Sequence, residues 1–398
     1  MKLRETLGAR AVVVAVLLVG AELALAAFTH YGEWVVMENN DPRLGWHMLP
    51  NQHGWSRDYS IPEVINSYGF RDREWEPPAR RPDPETGGEL WVVDDGLFRV
   101  AVVGNSITYG TSVHVEDTWA RVLEERLRRD FEERGVEREP LVMNFAVQGY
   151  VFEQMARVYE DTIRAFRPDL LIVPTIPHDV MEFERGKDAI DFPYRRLLMR
   201  TAANDYVTKA VTPWVKKRLE WADPTWGRSP AEEAHLALDV ALQHQPFAPE
   251  HEFLWEAAAE RMADVLRMVE CDGGRLVLVN TPPNIETVGI ESRRTTTERW
   301  LPWVEAQNAA AGEHPRVLHV EPMPDMRLAM ANLTREMWAL GMEVALPRAH
   351  GKRTVNPDLE HVEECLYLLD DVSHFNPRGH RTLGIAIYRQ LSQGGFLP

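Results

Sequence analysis

The stretch AVVGNSITYG, residues 101–110, decides how this chain is expected to fold. Its first residues belong to the run FRVAVVG, residues 98–104, which is short and mostly apolar, as is typical of a strand buried on both faces of a sheet. The run ends in a glycine, and Ser106 follows two residues later. In open α/β sheets, ligands bind at the carboxyl ends of the strands. Ser106 is therefore either a nucleophile or only the hydroxyl of a turn.

Strand-like and helix-like stretches alternate after residue 98. Four further apolar runs predict strands, at 140–147, 168–176, 275–283 and 315–322. Helical spacing of apolar residues predicts helices at 116–135, 150–166 and 257–274. Strands that alternate with helices imply crossover connections and a parallel sheet. The predicted fold class is α/β, a three-layer α/β/α sandwich around a five-stranded parallel sheet.

Composition narrows the function classes. The 398 residues carry a formal net charge of −17, which argues against nucleic acid as a partner because phosphates demand a basic surface. Neutral sugars, esters and other small molecules remain open as ligands. Cys271 and Cys365 are the only cysteines, so the chain has no disulfide framework and no cysteine-rich zinc site. The two thiols are either separate and buried or paired outside the cytoplasm.

Residues 1–30 predict a targeting segment. Lys2, Arg4 and Arg10 are followed by an apolar run that only Gly20 and Glu22 interrupt. A basic start before an apolar run indicates a signal peptide or a signal anchor. Either one would place the remainder in the periplasm or outside the cell, with membrane attachment in the second case. A buried amino-terminal helix is the alternative.

The rest of the chain divides into two parts. Residues 31–96 are predicted to form an extended arm and linker, and residues 97–398 the main domain. Within that domain, about 183–250 reads as a mostly helical insertion that either covers a binding cleft or serves as a docking surface. Its tryptophans, Trp214, Trp221 and Trp226, would present aromatic rings to sugars or simply pack in a core.

A second reactive pair precedes the last predicted helix. Asn376 and Pro377 make a good helix start, so Asp371 and His374 lie in the loop before it. Their spacing allows the carboxylate to hold the imidazole Nδ1–H and leave Nε2 free to accept a proton. A serine hydroxyl needs such a base to become a nucleophile.

The chain resembles the SGNH (GDSL-like) hydrolases in four blocks that follow the order of that family. GNSIT is not the G-x-S-x-G elbow of α/β-hydrolases, because Thr108 stands at the second glycine position. Instead VVGNSITYG resembles the first SGNH block, with Ser106 at the nucleophile and Asn105 in place of its usual aspartate. NFAVQGY resembles the second, with Gly149 at the oxyanion-hole glycine. DVSHFNPRGH resembles the last, which implies Asp371 as the acid and His374 as the base.

The third block departs from the family pattern. It usually ends in Asn-Asp but reads PHDV here, so His178 occupies the place of the oxyanion asparagine. An amide always donates, whereas a neutral histidine donates from only one nitrogen. His178 therefore either replaces the donor or signals altered chemistry. The arm, with NSYGFRD at residues 66–72, also looks like membrane-anchored bacterial members.

Three other residues are given structural interpretations. Asp179 is expected to cap the segment that follows it rather than to act in catalysis. Asn105 is expected to support the nucleophile loop, and His380 to be a helix residue that faces solvent or packs locally. No further cluster of His and carboxylate residues has metal-ligand spacing, so no metal and no organic cofactor is expected.

The sequence predicts a serine esterase of the SGNH type. Ser106, Asp371 and His374 would form the triad, with the oxyanion held by the Ser106 and Gly149 amides and by His178. The expected substrate is a small-molecule or glycan ester, either an O-acyl or O-acetyl carbohydrate or a lipid ester. An O-acyltransferase with the same triad and a non-catalytic binding or assembly protein are the alternatives. The oligomeric state is not predicted.

Overall fold

The computed structural model describes twelve stretches of the chain and six single positions. These are residues 2–29, 33–56, 60–82, 89–92, 96–181, 249–282, 295–311, 315–340, 343–345, 362–364, 366–368 and 374–398, with positions 202, 206, 207, 211, 238 and 242. Most of the expected insertion at 183–250 lies outside the described residues, as do its three tryptophans.

The amino-terminal segment forms a helix, α1 (Lys2–Phe28). Near its end, the Glu22 carboxylate accepts a hydrogen bond from the Ala202 amide at 2.7 Å. Among the residues that the structure describes, no helix has the length and apolar character needed to cross a membrane, and the expected membrane anchor is not supported.

The arm contains three two-stranded antiparallel sheets. Their strands pair as β1 (Met37–Asp41) with β2 (Gly45–Met48), β3 (Gln52–Trp55) with β4 (Pro62–Ile65), and β5 (Arg80–Pro82) with β6 (Glu89–Trp91). The arm buries Ile65, Phe70 and Trp75 in the same core as Phe145 of the main domain. The rings of Trp75 and Phe145 lie 4.6 Å apart, centroid to centroid. The arm is thus packed on the main domain.

The central sheet has five parallel strands. They are β7 (Leu97–Val102), β8 (Glu139–Asn144), β9 (Leu170–Thr175), β10 (Arg275–Asn280) and β11 (Val317–Val320). Their order across the sheet is β11-β10-β9-β7-β8, and each pair is parallel. Numbered along the chain, this is the flavodoxin-like order 2-1-3-4-5, which reverses direction beside the first strand. The predicted fold class and its five strands are confirmed.

Helices cover both faces of the sheet. They are α2 (Ser106–Tyr109), α3 (Trp119–Arg134), α4 (Phe152–Asp161), α5 (Glu252–Cys271), α6 (Thr295–Ala309), α7 (Met323–Ala339) and α8 (Pro377–Gln393). The side chains of β7 alternate between two apolar cores, because successive residues of a strand point to opposite faces. Ala101 packs in the core with α4, α5 and α6, whereas Val100 and Val102 pack in the core with α3, α7 and α8. These two cores separate the three layers.

A parallel pair of strands, β12 (Glu343–Ala345) and β13 (Val362–Glu364), forms a second sheet that is separate from the main sheet.

The packing of α8 on α3 gives a first prediction. A Cβ at Gly384 would lie 2.8 Å from the Trp119 carbonyl oxygen and 2.9 Å from the Val122 Cβ. Overpacking costs about 1–3 kcal/mol. Because a carbonyl of a packed helix cannot move aside, we expect this cost to exceed the gain of about 1 kcal/mol in helix propensity. Gly384→Ala should therefore lower the free energy of unfolding in urea titrations. Ser392→Ala, at an exposed position of the same helix, is the control and should change it by less than about 0.5 kcal/mol; equal stability of both variants would contradict the prediction.

Candidate active site

The carboxyl ends of three neighbouring strands bring the candidate residues to one edge of the sheet. β7 lies between β8 and β9, so the segments that follow these strands are adjacent. The Val147 amide donates to the Gly104 carbonyl oxygen at 3.1 Å, which keeps the segments after β7 and β8 paired beyond the sheet. The Asn144 side-chain amide also donates to the Thr108 carbonyl oxygen at 2.8 Å. Ser106 and the loop that contains Gly149 are held on the same side of the molecule.

Ser106 is the first residue of the one-turn helix α2. Asn105 is the cap of this helix, and its side-chain oxygen accepts a hydrogen bond from the Ile107 amide at 3.0 Å. A Cβ at residue 104 would lie 2.4 Å from the Thr108 Oγ1, so the sharp turn from strand to helix leaves room only for glycine. Ser106 itself is half-buried. The turn presents the hydroxyl at the sheet edge while its neighbours are buried.

The cap residue joins this turn to the segment after β9. The Asn105 Nδ2 donates to Asp179 Oδ1 at 2.9 Å, and Asp179 Oδ2 accepts from the Ile176 amide at 2.8 Å. Both side chains are buried. Asn105 therefore supports the turn of Ser106, as expected. Asp179 accepts at the start of its own 3-10 turn, Pro177–Val180, and the segment that it was expected to cap lies outside the described residues from residue 182 onward.

His374 lies in hydrogen-bond contact with Ser106. Its Nε2 is 2.8 Å from the Ser106 Oγ, although 268 positions separate the two residues in the chain. That distance is ordinary for a hydrogen bond that a hydroxyl donates to an imidazole nitrogen. Ser106 and His374, which the sequence predicts as nucleophile and base, are thus in contact.

The segment before α8 fixes the position of His374. The His374 carbonyl accepts from the Leu368 amide at 2.9 Å, and the Asn376 amide donates to the Leu366 carbonyl at 3.0 Å. Asn376 caps α8 by accepting from the Gly379 amide at 3.0 Å, as predicted. A Cβ at Gly379 would lie 2.0 Å from the Leu366 carbonyl oxygen, so glycine is required where the helix approaches this short antiparallel bridge.

Asp371 lies outside the described residues. Its proposed bond to the His374 Nδ1–H remains a prediction of the sequence, as does its role as the acid of the triad. Cys365 also lies outside them. Cys271 has a free, exposed thiol at the end of α5, which differs from the buried thiol considered in the sequence.

Gly149 adopts a left-handed backbone conformation beside an aromatic residue of the arm. Its φ of +77° is strained for any residue with a Cβ. A Cβ there would lie 3.3 Å from the Trp46 ring. The Trp46 indole N–H donates to the Gln148 carbonyl at 3.0 Å, and the Tyr150 hydroxyl donates to the Trp46 carbonyl at 2.9 Å. Trp46 of the arm is therefore hydrogen-bonded to the residues on both sides of the glycine.

His178 is the second residue of the 3-10 turn after β9 and is half-buried. Its neighbour Asp179 is bonded to Asn105, and Asn105 precedes Ser106. The His178 imidazole therefore lies on a turn that is hydrogen-bonded to the turn of Ser106. Whether the imidazole donates to an oxyanion remains a prediction.

His380 is buried rather than solvent-facing. Its Nδ1 accepts a hydrogen bond from the Trp119 amide at 3.3 Å at the start of α3. Burial, with smaller effects from Arg71 and His374, lowers the pKa of His380 to about 3. The ring is neutral at ordinary pH and links α8 to α3. The alternative in which it packs locally is the correct one.

One buried ion pair was not anticipated from the sequence. Arg71 of the arm lies against Glu63, with Nε 3.3 Å from Oε1, and both side chains are almost fully buried. The Tyr109 hydroxyl donates to the Glu63 Oε2 at 2.8 Å. Burial, together with the adjacent Glu63 carboxylate, raises the pKa of Tyr109 well above its usual value, so the phenol remains a donor. Arg71 belongs to the motif NSYGFRD, and the sequence alone assigned no chemical role to that motif.

A cavity lies beside the turn after β9. It has a volume of about 360 Å³, and its apolar walls include Phe152, Val180, Met181 and Leu254. It shares Asp179 with the hydrogen-bond link to Asn105. Across the described stretches, no group of three or more His, Cys, Asp or Glu side chains is arranged to hold a metal ion.

Comparison with known proteins gives similarity at the level of structure only. No family model and no curated protein sequence matches the chain. Among similar solved structures, an acetylxylan esterase from Geobacillus stearothermophilus, a catalytic mutant, is 12% identical with a TM-score of 0.38, covering 74% of this chain and 93% of that one. A member of the lipolytic protein G-D-S-L family from Veillonella parvula is 10% identical with a TM-score of 0.35, covering 74% and 98%. An acetyl xylan esterase is 11% identical with a TM-score of 0.36, covering 73% and 98%.

Two of these structures are named as acetyl xylan esterases and one as a member of the lipolytic protein G-D-S-L family. At such low identities and scores, the chemistry has to be argued from the side chains of this chain.

Because the imidazole of His380 is buried, we predict that the free energy of unfolding falls as the pH is lowered. Because its folded pKa of about 3 lies below the unfolded value of about 6.5, the unfolded chain binds a proton between these values and the folded chain does not. This contribution to the free energy of unfolding is full above about pH 6.5 and is lost as the pH falls toward 3. In His380→Asn the amide oxygen still accepts from Trp119 and does not titrate. The difference in urea-derived stability between wild type and variant should shrink as the pH falls; parallel profiles would refute it.

Proposed function

We propose that the chain is a serine esterase of the SGNH type that acts through an acyl-serine intermediate. The observation that carries the proposal is the 2.8 Å contact between the Ser106 Oγ and the His374 Nε2. A hydroxyl needs an adjacent base to become nucleophilic, and an imidazole is the side chain best suited to accept its proton near neutral pH. The position of both groups at the carboxyl edge of a parallel sheet, where such folds bind ligands, supports the same reading.

In the proposed reaction, the Ser106 Oγ attacks the ester carbonyl carbon while His374 Nε2 takes the hydroxyl proton. The tetrahedral intermediate then expels the alcohol, which receives that proton from His374. Water attacks the acyl-serine with His374 again as the base, and the acid leaves as the Ser106 hydroxyl is restored. The histidine serves in turn as base and acid, so the proton balance closes over one cycle.

The developing oxyanion is assigned to donors at the ends of the three neighbouring strands. As the first residue of α2, Ser106 has an amide that the hydrogen bonds of the helix itself do not use. Gly149 and His178 are the two further proposed donors. Asp371 is proposed to hold the His374 Nδ1–H and thereby present Nε2 to the serine.

The proposed substrate is an O-acyl ester of a carbohydrate or lipid. If the amino-terminal segment directs export, as its sequence predicts, esters at the cell surface are within reach of the enzyme. The cavity next to Asp179 is lined by Glu153, Arg157 and Arg261 as well as by apolar side chains, and Ser106 is not among its lining residues, so it does not select between short and long acyl groups. Assays therefore need both short and long acyl esters.

The first functional prediction concerns the nucleophile. Ser106→Ala removes the attacking oxygen, so hydrolysis of 4-nitrophenyl acetate and 4-nitrophenyl octanoate should fall by at least about 10³-fold in kcat, to what binding and the oxyanion hole alone supply. Ser392→Ala, at the exposed position of α8 used above, is the control and should retain wild-type turnover.

Three outcomes would speak against this proposal. Wild type with no turnover of either ester points to a non-catalytic protein. Turnover that persists in Ser106→Ala assigns the nucleophile elsewhere. Acyl release that requires a sugar acceptor indicates transfer rather than hydrolysis.

A second prediction concerns His178. If its imidazole donates to the oxyanion, His178→Asn should retain or raise kcat because an amide is a permanent donor, whereas His178→Ala should lose about 10²–10³-fold. Steady-state kinetics of both variants with the same ester check this. Loss of activity in the asparagine variant to the level of the alanine variant would show that the side chain has a role peculiar to histidine.

A further inference from the structure

The arm reaches the candidate site at two loops. Arg71 contacts the end of the nucleophile helix, and Asp72 accepts a hydrogen bond from the Asn144 amide at 2.9 Å, where β8 enters the Gly149 loop. Trp46 also lies against Gly149. Residues of the segment 46–72 therefore contact both the turn of Ser106 and the loop of Gly149, which is a proposed oxyanion donor.

Arg71 contacts the backbone at the end of α2 through its guanidinium. Arg71 Nη1 donates to the carbonyls of Tyr109 at 3.1 Å and Gly110 at 2.7 Å, and its Nη2 donates to the Val113 carbonyl at 2.6 Å. The last carbonyls of a helix have no partner within the helix. Arg71 supplies these partners at the end of α2, four residues from Ser106.

The helix depends on outside support because of its length. A single turn fixes several backbone torsions for one or two hydrogen bonds, so it does not form by itself in water. Asn105 holds its amino end and Arg71 its carboxyl end. The orientation of the Ser106 side chain therefore follows from both ends being held.

The guanidinium is in turn held by buried partners. Glu63 lies against its Nε and also accepts from the Tyr109 hydroxyl, so one carboxylate joins Arg71 to the side chain of α2 itself. The Arg71 guanidinium carbon lies 5.3 Å from the Tyr109 ring centroid. Arg71 and Glu63 are each at most 2% exposed, so bulk solvent has little access to the pair.

We propose that Arg71 is a positioning residue of the candidate active site, and that the arm is thereby part of the catalytic machinery. This inference rests on the proposed esterase function. Arg71 does not touch substrate: it fixes α2, and α2 places the Ser106 Oγ on the His374 Nε2. A displacement of about 1 Å at a reacting atom is enough to cost about 10²-fold in rate.

The test uses the full chain and two substitutions that avoid leaving a buried carboxylate uncompensated. Arg71→Lys keeps the positive charge for Glu63, but one ammonium cannot reproduce the planar fork that reaches three carbonyls. Arg71→Met combined with Glu63→Gln removes the pair as a neutral unit, because breaking only one side of a buried pair is strongly destabilising. Arg73→Lys is the matched control, since Arg73 lies on the same arm and binds Glu124 of α3 instead.

The readout is kcat per active site, with active sites counted by titration with a fluorophosphonate. We expect Arg71→Lys to lose at least about 10-fold in kcat, and the double variant about 10²-fold, with KM changed by less than about three-fold. Arg73→Lys should match wild type. A residue needed only for folding would lower the number of titratable sites and leave kcat per site unchanged.

Wild-type kcat per site in both Arg71 variants would overturn this inference while the esterase proposal stands. Wild type that neither hydrolyses esters nor reacts with the fluorophosphonate would remove both. If the double variant yields no folded protein, Arg71→Lys alone decides the question.

Discussion

The candidate active site depends on the hydrogen bond between the Ser106 hydroxyl and the His374 imidazole, and the elements around it hold these two groups together. This bond joins the end of the first sheet strand to the segment before the last helix, at a distance of 2.8 Å. A doubly wound sheet makes this possible, because β7 lies inside the sheet and its carboxyl end faces the same edge as those of its neighbours. The cap of α8 and the short bridge before it then bring the imidazole over the serine.

Holding a one-turn helix at that edge requires buried polar partners, and the chain provides them from distant segments. Asn105 and Asp179 secure the amino end of α2, and the Arg71–Glu63 pair secures its carboxyl end. Buried charges are costly unless paired and hydrogen-bonded, and a hydrophobic pair of equal size would often serve stability equally well. Their value here is geometric, since a guanidinium donates in fixed directions that an apolar side chain cannot supply.

The sequence predicts the layers of the fold and the two residues, Ser106 and His374, that meet at the sheet edge. The strands were predictable because each central strand is a short apolar run bounded by helical spacing, as at 98–104. The order of the strands was not, since periodicity says nothing about which strand is the neighbour of which. A strand that ends in glycine singled out Ser106, the loop before an Asn-Pro helix start singled out His374, and the resemblance to the SGNH hydrolases paired the two.

Tertiary contacts decide the features that the sequence left open or did not anticipate. His380 is buried because the first turns of α8 face the start of α3, where the Trp119 amide needs an acceptor. Arg71 belongs to a segment with irregular composition, and its partners follow 38 to 42 residues later. The apolar run after Arg10 predicted a signal peptide or a membrane anchor, and among the described residues no helix is long and apolar enough for the second.

The most direct test of the account is to locate the residue that reacts with a fluorophosphonate. Wild type and His374→Asn are treated with the reagent, the adduct is mapped by mass spectrometry of proteolytic peptides, and the rate of its formation is measured. The account predicts one phosphonyl group, on Ser106, that forms about 10²–10⁴-fold more slowly when the imidazole is removed. An adduct on another residue, or a rate that does not change in His374→Asn, would contradict it.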